Sequence, residues 1–167
     1  MSVARRATLA RGALVAAVCG ALSACGFHLE GRTPLPAALR IACVEAPNDQ
    51  TNFVQGLRRA LVVSGAQITD RSGKATAVVH ILEEHVTPRI VAVSATNLPR
   101  EYEITYTVRF SVTSQGRQLL APQEVSLTRD YAFDEHVVLA KDREDRILRG
   151  ALASDLVDIV MRRLASL

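Results

Sequence analysis

The sequence predicts an α+β fold: a sheet of about four mainly antiparallel strands with two helices packed on one face. Three observations predict it. Tyr102, Ile104, Tyr106, Val108, Phe110 and Val112 alternate with Glu103, Thr105, Thr107, Arg109 and Ser111, the period of a strand with one buried and one wet face. Phe53, Leu57, Ala60, Leu61 and Ser64 recur at helical spacing. Ile147, Leu148, Ala151, Leu152, Leu156, Ile159, Val160 and Leu164 mark one face of a longer helix near the C-terminus, and such a face must be covered.

In chain order, Leu39 to Val44 is short, apolar and partly β-branched, which reads as a first strand ended by Pro47-Asn-Asp, a turn and helix-start signal. The helix from about Thr51 to Ser64 follows, with Gly65 at the C-terminal cap position. Arg58 and Arg59 lie off its apolar stripe and read as solvated charges. Ala66 to Thr69 suits a short strand and Arg71 to Lys74 a turn. From Ala75 to Val93 the chain is β-rich, with a break expected near Pro88; both alternating sets of Ala77 to Leu82 are largely apolar, as in a strand covered on both faces. The Tyr102–Val112 strand then turns at Ser114-Gln-Gly-Arg117 into a partner carrying Val125, Leu127, Tyr131 and Phe133. The last helix opens at Lys141-Asp-Arg-Glu-Asp145, whose acids suit the positive end of a helix.

The first 24 residues read as an export signal: Arg5, Arg6 and Arg11 precede an apolar stretch running from Gly12 to Ala24. That stretch is shorter than the roughly 20 residues of a spanning helix, and no later segment comes closer. Its end, Leu22-Ser-Ala-Cys-Gly26, resembles a bacterial lipobox, which makes Cys25 the acylated first residue of the mature chain. The lipid expected there is diacylglycerol plus an N-acyl chain, with no other cofactor. Several acyl chains hold a protein at a membrane effectively permanently. Gly26, where an Asp would retain a lipoprotein in the inner membrane, favours the outer membrane. Residues 25–37, with Pro34 and Pro36, form an extended tether, and residues 38–167 form a single domain.

Loss of the leader's three arginines leaves 17 basic against 17 acidic residues. A near-neutral mature chain argues against nucleic acid as a partner. Cys43, with Cys19 removed and Cys25 acylated, has no disulfide partner and reads as a buried thiol. His80 and His85 show no ligand spacing of a metal site. No nucleophile, base and orienting group stand together in the sequence.

Cys25-Gly-Phe-His-Leu-Glu-Gly31 after the lipobox resembles the mature start of the LptE family of lipopolysaccharide-assembly lipoproteins. The Leu35-Pro36 tether, the helix near Arg58, the strand beginning Glu101-Tyr102, and Arg129-Asp-Tyr-Ala-Phe-Asp134 running into Leu139-Ala-Lys-Asp142 agree in order. The resemblance implies a non-enzymatic protein that plugs the LptD β-barrel in a 1:1 complex, assists its assembly, binds lipopolysaccharide and promotes insertion into the outer leaflet. By the same resemblance Lys141 is a lipopolysaccharide contact, at a helix start that itself attracts anions. The family's second basic contact precedes the Glu-Tyr strand, where this chain reads Ser94-Ala-Thr-Asn-Leu-Pro-Arg100; Arg100, or else Arg89, supplies the charge from a shifted position. Asn97-Leu-Pro99 is expected against the barrel wall. An auxiliary lipoprotein of an ABC-type envelope lipid transporter is the alternative.

Overall fold

The computed structural model describes residues 34–97, 99–132 and 138–167, without the side chains of Ala132 and residues 138–142. The expected signal segment, Cys25 and most of the tether lie outside them. A 3₁₀ turn at Ala37–Leu39 buries Leu39 and delivers the chain to β1 (Ile41–Glu45). The Thr51 side chain caps α1 (Asn52–Val63), its Oγ1 accepting the Val54 N–H at 3.2 Å, which satisfies one of the donors a helix start leaves open. Gly65 closes the helix at φ +96°, a conformation side chains other than glycine resist.

β2 (Gln67–Ile68), β3 (Ala77–Val93), β4 (Pro99–Ser114) and β5 (Arg117–Ala132) follow, and α2 (Val138–Ala165) ends the chain. The sheet has five strands in the order β2-β1-β3-β4-β5. β1 pairs in parallel with β2 and β3, whereas β3–β4 and β4–β5 are antiparallel. The fold class is as expected, but a fifth strand and two parallel ladders make the sheet mixed. The parallel β1–β2 pair requires a crossover, and α1 is that crossover.

Pro88 does not break β3, contrary to expectation. It pairs with Ile104 inside an unbroken strand. The reason is non-local: β1 accompanies β3 only as far as Glu45 opposite His80. Beyond that point β3 is, among the described residues, an edge strand, where a residue without an N–H is tolerated. Between β4 and β5, Gln115 and Gly116 both have positive φ, 49° and 76°, as a two-residue hairpin turn of matching twist requires.

Both helices lie over the face formed by Ala42, Val44, Val79, Ile81, Ile104, Tyr106, Val108, Phe110 and Val112. α1 buries Phe53, Val54, Leu57 and Leu61 against it. α2 buries Leu152, Ala153, Leu156, Val157, Val160, Met161 and Leu164. Ile147, expected on that buried stripe, is 64 % exposed. The helices meet at Gly56, where an added Cβ would stand 3.2 Å from Val157 Cγ2.

Arg58 is not a solvated charge. Its guanidinium donates to the Val44 carbonyl at 3.0 Å and to Asp49 Oδ1 at 2.7 Å, tying α1 to the end of β1. Glu84 ties the helix cap to the sheet in the same way: it accepts from Thr51 Oγ1 at 2.9 Å and from the Tyr106 hydroxyl. Burial, and then the bond to Glu84, pushes the Tyr106 hydroxyl far above its ordinary range. Above pH of about 10 the unfolded chain gives up this proton while the folded chain keeps it, so stability falls as pH rises. Thermal unfolding followed between neutral and strongly alkaline pH should show this fall. In Tyr106→Phe the fall should be shallower, the remainder coming from Cys43 and Tyr131, both also raised by burial; identical slopes for the two proteins would remove Tyr106 from the effect.

Candidate functional site

β3, β4 and β5 are much longer than β1 and β2, so beyond His80 the sheet continues as a three-stranded ribbon. At its far end the β3–β4 turn closes through Asn97, at φ 62°, a conformation asparagine tolerates. The Asn97 N–H donates to the Ser94 carbonyl at 2.9 Å. The register Glu101↔Ala132 sets the end of β5 beside the start of β4. Five residues then lead to α2, a link that spans at most about 20 Å. Arg100 and the first turn of α2 therefore share one end of the sheet.

Lys141 occupies the fourth position of α2, because the helix begins at Val138 rather than at Lys141. Its first turn consequently holds no acid, and Asp142, Glu144 and Asp145 fall later than expected. The Lys141 side chain lies outside what the structure describes. Arg100 is exposed and makes no ion pair among the described residues. Arg89 is already engaged: its Nε and Nη2 donate to Glu103 Oε1 at 3.1 and 2.8 Å. Arg89 is thus committed to Glu103, whereas Arg100 is exposed and without an ion pair among the described residues.

The sequence reading missed the apolar character of this end. Ile90, Val91 and Val93 are 50, 41 and 54 % exposed. The signal was present, since no charged residue occurs from Ile90 to Pro99. Across the ribbon from Ile90, Tyr102 and Tyr131 stack with ring centroids 5.5 Å apart. An exposed cation beside exposed apolar side chains is chemistry suited to an amphiphile with an anionic head.

The histidines have acid neighbours that sequence spacing hid. His80 Nδ1 lies 3.1 Å from Glu45, on the adjacent strand, and Nε2 bonds Thr113 Oγ1 at 2.8 Å. His85 lies 3.6 Å from Glu83. Among the described residues no three His, Cys, Asp or Glu side chains group as metal ligands would. Cys43 is 2 % exposed, and burial, with Glu45 next, raises its thiol above the usual range, which suppresses reactive thiolate.

The LptE lipopolysaccharide-assembly family matches residues 37–164, most of the chain. The LPS-assembly lipoprotein LptE of Pectobacterium atrosepticum is 25% identical over 144 residues, which cover 86% of this chain and 78% of that protein. Among solved structures, the uncharacterized lipoprotein B of Nitrosomonas europaea is 26% identical with a TM-score of 0.70, over 84% of this chain and 91% of the other. The rare lipoprotein B of Shewanella oneidensis shares the fold, with a TM-score of 0.66 at 22% identity, over 75% of this chain and 94% of its own. The chain therefore belongs to the LptE lipopolysaccharide-assembly family.

Proposed function

We propose that this protein is an outer-membrane lipoprotein, anchored through acylated Cys25, that joins an LptD β-barrel in a 1:1 complex and assists its assembly. It binds lipopolysaccharide and promotes insertion into the outer leaflet, without catalysing a reaction. The role in lipopolysaccharide assembly follows from the family. The observation that carries the finer reading is the distal end of the sheet, where Arg100 is exposed alongside Ile90, Val91 and Val93 and the first turn of α2 brings Lys141 to the same end. Phosphate groups of a glycolipid would meet the cations and its acyl chains the apolar strip. The near-neutral mature charge is consistent with attachment by lipid rather than by a basic surface.

Two measurements test the reading. The acylated protein, purified from its native membranes, should bring down a large β-barrel; recovery with an inner-membrane ATPase complex instead would refute the partner. Cys25→Ala should abolish labelling by a fatty-acid probe and release the protein from the membrane fraction. Unchanged labelling would move the anchor elsewhere.

A further inference from the structure

Among the described residues no strand covers β3 on its outer side from Ile81 to Val93. Such an edge presents a row of open backbone groups to any strand that matches it. The side chains along it are self-complementary. Glu83, His85, Thr87 and Arg89 share the solvent face, opposite Arg109, Thr107, Thr105 and Glu103 of β4. Glu83 is paired with Arg109 at 2.9 Å and Arg89 with Glu103 at 2.8 Å.

We infer that the Glu83–Arg89 stretch of β3 pairs antiparallel with the same stretch of a second copy, about a two-fold axis at Val86. In this register Glu83 of each copy stands opposite Arg89 of the other, on the same face, because residues directly opposite in an antiparallel pair point the same way. Charges then alternate across the junction from Arg109 through Glu83 to the second copy's Arg89 and Glu103, and the symmetry repeats the row. No neighbouring same-face register achieves this. Shifting the axis one residue either way puts Arg89 opposite His85 or Ile81.

Apolar surface points to the same alignment. Leu82 is 40 % exposed on the edge, beside an open groove of about 400 Å³ whose far side is formed by Pro47 and Thr51. The two-fold arrangement carries the exposed Ile90 and Val91 of the second copy alongside Leu82 and this groove. The paired stretch is bounded by register shifts at Ile81/Glu83 and at Ile90/Ala92, which limit its length. Pro88 has no N–H to give. The association is accordingly weak and reversible, leaving the edge available when another partner takes it.

The test uses the full-length acylated protein in detergent. Val86→Cys sets a thiol on the axis, where mild oxidation should yield a disulfide-linked dimer. Thr128→Cys, at a more exposed position on β5, should not. Cys43 is buried and supplies no competing link. In the Val86→Cys background, Glu83→Arg should lower the dimer yield at least about tenfold by opposing like charges at both junctions. Adding Arg89→Glu should restore it, an outcome that loss of the internal pairs with Arg109 and Glu103 cannot produce. Equal linking at positions 86 and 128, or failure of the charge swap to restore the dimer in folded protein, would overturn the inference. So would a constant monomer mass for the unsubstituted protein, by light scattering in the same detergent, up to its solubility limit.

Discussion

Phe53→Ala is expected to lower the free energy of unfolding by about 3–5 kcal/mol, enough to leave the domain marginal at physiological temperature. Phe53 is fully buried, in the first turn of α1, inside the cluster that joins both helices to the sheet. Truncation removes the transfer free energy of the ring and leaves a cavity. Local collapse cannot readily fill it, because the surrounding cap is pinned by Thr51 and Glu84. Val63→Ala in the same helix, at a side chain 64 % exposed, should change stability by no more than about 0.5 kcal/mol. Denaturant unfolding of the two variants side by side checks both numbers. Comparable losses for the two would contradict the core described above.

The second large effect is expected in ligand binding. Joint reversal of charge by Lys141→Asp and Arg100→Glu should weaken lipopolysaccharide binding by roughly tenfold to a hundredfold per site, the range for losing a charge-assisted hydrogen bond to an anionic group. The two single variants separate the contributions. Arg89→Gln provides the contrast, since its guanidinium is held by Glu103 and its loss should change affinity little. Titration of each purified variant against lipopolysaccharide, with circular dichroism to confirm folding, is sufficient. Unaltered affinity in the double variant would remove this end of the sheet from the binding site.

Local pattern made part of this structure readable in advance. The alternation from Tyr102 to Val112 identified β4 because one of its faces is sealed by the helices; Ile104, Tyr106, Val108, Phe110 and Val112 are all buried. Phe53, Leu57 and Leu61 placed α1 to within about two residues, the usual uncertainty of a helix end. What could not be read depends on neighbours distant in sequence. Pro88 looked like a strand breaker because its tolerance depends on where β1 stops. Arg58 looked solvated because its acceptors, Val44 and Asp49, are brought in by the turn from β1 into α1. The α2 start was misplaced because Val138, Leu139 and Ala140 precede the acids that resemble a helix start. At the distal site, Arg100 was found through its position before Glu101-Tyr102. The apolar strip beside it falls at the end of the β-rich run from Ala75 to Val93, and only the shortness of β1 and β2 shows that this part of the ribbon stands clear of the core.

The place of α2 after every strand of the sheet also determines when the domain can close. α2 supplies seven of the buried side chains, from Leu152 to Leu164, and these are made after every strand of the sheet. Until they are available, the inner faces of β4 and β5 lack half of their helical layer. Strands with an uncovered apolar face are prone to wrong associations. Folding is therefore coupled to the synthesis of α2: a chain cut at Leu152 would leave strands able to form and only α1 to cover them.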